Sequence, residues 1–250
     1  MVLTAPDEAP LVFDLGTGLR FYGLSPEAPT PFDGTALVSH LHWDHVQGIP
    51  FFAPINRPGA RLEIVAPRQE SGSLADAVRD FVRPPYFPVD LDALGAEFTF
   101  TEVWDTKLDR GSYRIRSLPI PHVGPTVGYR VERGASSIAY LSDHQQPGSH
   151  ATDIAPEVLE LCSGVDLLIH DAQYTDDEFD AKSTWGHCTV DYALHVAAES
   201  GVRDLVLFHH DPAHDDETID SLLAVAARSG AAMGLRSVTA AYEGLTLDLR

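Results

Sequence analysis

The apolar positions of this chain fall in short runs separated by glycine, proline and acidic residues, and most of the runs have the length of a strand. Leu11-Val12-Phe13-Asp14-Leu15-Gly16-Thr17-Gly18 reads as a strand running into a glycine turn, and Arg20 to Leu24 as a second strand. Thr35 to Ser39 and Arg61 to Ala66 read as strands, and Ser73 to Val82, between Gly72 and Pro84, as a helix. Further strands are predicted over Glu97 to Val103, Tyr113 to Pro119, Val127 to Glu132, Ser136 to Leu141, Val165 to Ile169 and Asp204 to Phe208. Helices are predicted over Ile154 to Cys162, Val190 to Ser200 and Asp216 to Arg228, and a last strand pair between Ser237 and Leu249 turns at Glu243-Gly244. Runs of strands separated by helices predict stacked sheets with helices outside. No short repeat and no long linker interrupts the pattern, so one domain is expected over residues 1–250.

The strand ends carry the chemistry. His40-Leu41-His42-Trp43-Asp44-His45 follows the apolar run Ala36-Leu37-Val38 and sets three imidazoles and a carboxylate within six positions. Such nitrogen and oxygen donors suit zinc or a similar transition ion. His40 and His42 alternate, so on an extended chain both rings point the same way. Asp44 and His45 fall where the chain turns and can reach a second ion. Four more donors lie at or just past predicted strand ends: His122, Asp143, Asp171 and His209. His210 competes with His209, which comes first after its strand. His144 and His170 flank two of these aspartates, as hydrogen-bond partners or as structural residues. His195 is expected inside a helix, and His150 and His214 in solvent.

This order of donors resembles the metallo-β-lactamase superfamily, whose members carry HxHxDH, then a lone His, a bridging Asp and a final His. The resemblance spans nearly the whole chain, from Phe13-Asp14-Leu15-Gly16 to the closing strands. It implies an α/β (α+β) fold, an αββα four-layer sandwich of two mixed sheets with helices outside. It also implies two divalent metal ions. By the same resemblance His40, His42 and His122 hold one ion and Asp44, His45 and His209 the other, with Asp143 and a water or hydroxide between them. Zinc is the expected metal, and manganese or iron fits the same donors.

Leu168-Ile169-His170-Asp171-Ala172-Gln173-Tyr174 resembles the His-Glu-Ala-Thr segment of ribonuclease Z and related phosphodiesterases, and Gly186-His187-Cys188-Thr189 their His-Ser-Thr segment. In that branch the acidic residue orients the histidine that protonates the departing alkoxide, which assigns Asp171 and His187 to those roles. Asp171 stands where the branch has Glu, one methylene longer, and Cys188 where it has Ser. The runs His42 to Phe52, Trp185-Gly186-His187 and His209-His210-Asp211-Pro212 also resemble uncharacterised bacterial hydrolases of this fold. The mechanism implied is attack by a metal-bound hydroxide that Asp44 helps orient, with His187 as general acid.

Composition bears on the substrate and setting. The formal net charge of −20, with Lys107 and Lys182 the only lysines, speaks against tRNA or other nucleic acid as a partner and for a small or cyclic phosphodiester. A metal centre reverses the local field, so a small anion remains compatible with an acidic surface. No apolar run has the length of a membrane span and no secretory signal is read at the N-terminus, so a soluble cytoplasmic protein is expected. Cys162 and Cys188 are too few for a disulfide framework and read as core residues. Ile49-Pro50-Phe51-Phe52 with Pro84 to Pro88 lines either a pocket or a homodimer contact. The rival readings are hydrolysis of a lactone, ester or thioester on the same metals, and a non-catalytic nucleotide or metal sensor.

Overall fold

The computed structural model describes residues 1–249 and divides the chain into two compact units, Met1–Trp104 and Asp105–Arg250. The first unit is built on a five-stranded sheet in the order β1-β2-β3-β4-β5, with β1 at Val2–Leu3, β2 at Leu11–Phe13, β3 at Asp33–Leu37, β4 at Arg61–Pro67 and β5 at Glu97–Val103. The β1–β2 pair is antiparallel and the other pairs are parallel. Three helices belong to this unit: α1 (Leu19–Tyr22), α2 (Trp43–Val46) and α3 (Leu74–Phe81). The α3 helix starts where the Ser73 side chain accepts from the Asp76 N–H, and it buries Leu74 and Val78, one turn apart. Val12, Ala36, Leu62 and Ile64 from the sheet pack with Leu15, Val46 and Phe52 in its core.

The second unit carries a seven-stranded sheet in the order β12-β11-β10-β9-β8-β7-β6. Its strands are β6 (Thr106–Arg110), β7 (Tyr113–Pro119), β8 (Val127–Arg133), β9 (Ser136–Leu141), β10 (Leu167–Asp171), β11 (Asp204–Phe208) and β12 (Ser237–Ala240). The β6 to β9 run is an antiparallel meander, and β9 to β12 are parallel. Four helices belong here: α4 (Pro156–Cys162), α5 (Asp176–Lys182), α6 (Val190–Glu199) and α7 (Asp216–Ala232). Leu161, Cys162, Leu194 and Ala197 from α4 and α6 pack on Leu141, Leu168 and Leu205 of the sheet. Truncating a fully buried residue such as Leu194 to Ala costs about 2–5 kcal/mol. Every residue of β10 is buried, as befits a central strand of a parallel region.

Two mixed sheets with helices are thus present, and most of the expected elements lie within a few residues of their places. Two expected segments differ, and some short elements were not expected. Of Arg20 to Leu24, expected as a strand, Arg20 to Tyr22 belong to α1 and Gly23-Leu24 to the turn after it: Leu19 and Tyr22, three apart, turn inward while Phe21 is exposed. The turn at Gly244 is present, with the Leu245 N–H donating to the Tyr242 carbonyl, but the residues after it form no strand. Tyr242 and Leu247 are exposed, so these apolar positions have no sheet face to meet. The charged elements β6 and α5 had no apolar periodicity to reveal them.

Candidate metal and acid site

In the first unit the donors follow β3. The chain leaves the sheet through Val38 and Ser39, and α2 begins after His42, its N-cap. A second loop braces this one. The Leu15 N–H donates to the His45 carbonyl and the Gly48 N–H to the Leu15 carbonyl. A Cβ on Gly16 would stand 2.4 Å from the Asp44 carbonyl oxygen, and one on Gly48 2.0 Å from that of Gly16, so the two loops can approach only through glycine.

Asp14 closes this arrangement. It sits at φ +56° and turns its carboxylate into the histidine loop. The carboxylate accepts from the Ser39 N–H at 2.7 Å and from the Ser39 hydroxyl at 3.0 Å, and faces His45 Nδ1 at 2.8 Å. Nδ1 of His45 therefore carries the proton, and Nε2 is left as the donor on the side of Asp44, 3.0 Å from its Oδ2. With its proton committed to Asp14, the Ser39 hydroxyl accepts from His40 Nδ1 at 3.0 Å. That leaves His40 Nε2 facing His42 Nδ1 at 2.7 Å. Two ring nitrogens this close need a proton or a cation between them. One carboxylate thus fixes the rings of both His40 and His45, a role for Asp14 that its position in the sequence had not revealed.

In the second unit the parallel register does the gathering. His170 lies beside Leu141 on one side and Leu207 on the other, and Asp171 beside Phe208. Asp143, Asp171 and His209 therefore emerge at one end of β9, β10 and β11, where open α/β sheets place their sites. Asp143 is buried; its Oδ1 lies 3.8 Å from His122 Nε2, and its Oδ2 lies 3.6 Å from His209 Nε2. These separations are too long for hydrogen bonds and close to the about 3.3 Å between ligands of a tetrahedral zinc with bonds of 2.0–2.1 Å. A carboxylate presenting one oxygen to each of two histidines fits a bridging ligand, so the residues present suit divalent ions.

The orienting groups are equally specific. His122 Nδ1 donates to the Gly186 carbonyl at 2.6 Å, and His209 Nδ1 meets the Gln173 side-chain amide at 3.0 Å. The amide nitrogen of Gln173 is the atom that faces Nδ1, and the contact fixes the plane of the His209 ring. His187 Nδ1 donates to Asp171 Oδ2 at 2.7 Å, so the shorter carboxylate does reach it. Asp171 is fully buried and accepts from two main-chain N–H groups besides, those of His144 at 3.1 Å and Gln173 at 3.0 Å. It cannot turn away. The His187 ring stacks on that of His209 at 4.9 Å, and donor atoms of Asp143, His187 and His209 lie within 4.8 Å of one another.

The remaining histidines separate cleanly. His210 donates Nε2–H to the Ala241 carbonyl at 3.2 Å and burial lowers its pKa, so His209, not His210, faces Asp143. Buried His170 donates from Nδ1 to the Asp171 carbonyl and accepts from His144 Nδ1 at 2.9 Å; burial lowers the pKa of both rings, and this neutral pair braces the aspartate loops. His150 is exposed beside Asp176, and His195 meets the Thr152 carbonyl. His214 differs from expectation: its side chain is buried and pairs with Glu178 at 2.8 Å, because Glu178 also caps α5 and holds its carboxylate there. Cys162 and Cys188 are both buried free thiols, and burial pushes Cys162 up to about 12.

Comparison with known proteins agrees with this geometry. Residues 13–210 match the family described as "Beta-lactamase superfamily domain". A protein of Haloarcula marismortui named Ribonuclease Z is 25% identical, over 84% of this chain and 80% of its own. The metallo-β-lactamase fold protein YhfI of Bacillus subtilis superposes with a TM-score of 0.70 at 17% identity, covering 98% of this chain and 88% of its own. A diphosphatase of the PhnP family superposes with a TM-score of 0.67 at 17% identity, covering 98% and 82%. Among the described residues no helix is long and apolar enough to cross a membrane. With the family match spanning most of its length, this chain belongs to the β-lactamase superfamily and is a metal-dependent hydrolase of the metallo-β-lactamase fold.

Proposed function

We propose that the protein is a phosphodiesterase acting as one catalytic domain. In this reading His40, His42 and His122 hold one divalent ion, Asp44, His45 and His209 hold a second, and Asp143 serves both. Zinc is the metal the donor set favours. Bound divalent ions supply a hydroxide near neutral pH and offset the charge of a phosphoryl group. His187 delivers a proton from Nε2 to the leaving oxygen, and Asp171 holds the tautomer that allows it. Asp44 helps orient the nucleophile. The observation that carries this reading is the 2.7 Å bond from His187 Nδ1 to a fixed, buried carboxylate, which aims Nε2 away from Asp171. A poor alkoxide leaving group needs such a proton, whereas a thioester, which expels the less basic thiolate, needs a dedicated acid less.

The net charge of −20 supports a small or cyclic phosphodiester as the substrate. A second reading, hydrolysis of RNA, has its own support: relatives covering most of this chain carry the name Ribonuclease Z. That name runs against the exclusion of nucleic acid drawn from charge, and the exclusion is set aside. Two buried thiols support a reducing, cytoplasmic setting. The test is a screen of metal-reconstituted protein on linear and cyclic dinucleotides, an RNA carrying a 3′ extension, bis(nitrophenyl) phosphate and a lactone panel, with Asp44→Ala as the blank. Turnover of phosphodiesters is expected, and turnover of lactones alone overturns the proposal.

A further inference from the structure

The glycine that precedes the acid has a task of its own. Gly186 lies at φ +100°, a region that side chains other than hydrogen rarely enter. A Cβ built on it would stand 2.3 Å from Cε1 and 2.4 Å from Nδ1 of His122, whose side chain is 1% exposed. The same residue's carbonyl accepts from His122 Nδ1 at 2.6 Å. Glycine is thus required here twice, once by backbone geometry and once by the ring packed against it.

The surrounding segment is fastened on both sides of Gly186. The Ser183 carbonyl accepts from the Gln145 side chain, the Gln146 N–H donates to the His187 carbonyl, and the Tyr174 N–H donates to the Cys188 carbonyl. After it, Thr189 caps α6 and binds the Gln146 side chain. The Gly186 carbonyl is therefore held in place. It can impose its demand on the imidazole.

We infer that Gly186 is a positioning residue for metal binding: its fixed carbonyl holds His122 in the Nδ1–H tautomer and leaves the proton off Nε2, the nitrogen on the side of Asp143. The inference rests on the reading of His122 as a ligand in the proposed phosphodiesterase. A metal on Nε2 draws electron density from the ring and strengthens the Nδ1–H bond to the carbonyl. The next residue is His187, so one peptide segment sets both a metal ligand and the proton donor. This arrangement couples occupancy of the metal site to the position of the acid without any direct bond between the two rings.

The test compares zinc binding by the wild type, Gly186→Ala, His122→Ala and His187→Ala, using competition with a chromophoric chelator. Gly186→Ala is expected to weaken zinc binding by about 10- to 100-fold, approaching His122→Ala, while His187→Ala keeps its zinc. Wild-type affinity and stoichiometry in a folded Gly186→Ala protein overturn the inference. Should Gly186→Ala fail to fold by circular dichroism, nitrogen NMR of the zinc-loaded wild type decides, with His122→Ala used to assign the ring. A protonated Nδ1 and a zinc-bound Nε2 on His122 are expected, and the opposite tautomer overturns it. Neither readout needs turnover: a wild type that binds zinc in this way yet hydrolyses no phosphodiester removes the proposed function and leaves the role of Gly186 standing.

Discussion

The two units solve the same problem differently. In Met1–Trp104 the donors His40, His42, Asp44 and His45 share one turn of chain, and a single carboxylate, Asp14, fixes two of the rings. In Asp105–Arg250 the donors His122, Asp143 and His209 come from three separate strand ends, and each histidine has its own orienting group, Gly186 for His122 and Gln173 for His209. Local spacing therefore organises the first set, and sheet register organises the second. Damage should differ accordingly: one substitution can disorder the first set, whereas the second set loses one donor at a time.

The sharpest way to break this comparison is at Asp14. Asp14→Ala removes the partner of buried His45 and of Ser39, leaving Nδ1–H of His45 and, through Ser39, that of His40 poorly held. Leaving buried hydrogen-bonding groups without their acceptor costs about 1–3 kcal/mol for each, so a lowered melting temperature and loss of bound zinc are expected. Asp14→Asn, which keeps one acceptor oxygen, should recover part of both. Next in size is the acid. His187→Ala should retain bound metal and lose about 10²–10⁴-fold in kcat on a dinucleotide, but much less on a nitrophenyl ester; Asp171→Ala should follow it through loss of the tautomer.

A smaller effect is expected at Gln173. Gln173→Ala should weaken zinc binding by about 10-fold, the low end for a group that orients a ligand, without the broad loss predicted for Asp14. A loss as large as that of Asp14→Ala would contradict the independence of the second set. The smallest effect concerns acid stability. Burial works to raise the Asp211 carboxyl, but Lys182 at 2.5 Å and the Ala213 N–H outweigh it and hold it below the usual range. Because the folded value lies below an unfolded value of about 3.9, the stabilisation is fully present above that pH and is lost as pH falls through the folded pKa. The difference in melting temperature between wild type and Asp211→Asn should therefore be full at neutral pH and vanish in strong acid.

How much of this was legible in the sequence follows from the same contrast. His40 to His45 announced itself because its donors are contiguous, and Asp143 and His209 because they follow apolar runs of strand length. The sequence favoured His209 over His210 only by its place after the strand; the contact of His210 with Ala241 at the end of β12 was not legible there. Asp14, Gly186 and Gln173 left weaker traces: their roles arise from approaches between distant segments, and nothing in an aspartate, a glycine or a glutamine by itself announces a ring to orient. The acidic helix α5 was invisible for a different reason. Its lone buried apolar residue, Phe179, gives no stripe, and a capping box of Thr175 and Glu178 starts it instead.

The central claim is that a metal-dependent phosphodiesterase uses His187 to protonate its leaving group. The most direct measurement is the dependence of rate on leaving-group pKa across a series of aryl and alkyl phosphodiesters, for metal-saturated wild type and His187→Ala. The account predicts a shallow dependence for the wild type and a steep one for the variant, with the two rates converging for the best leaving groups. Equal slopes, with the variant slower by one constant factor, would contradict it.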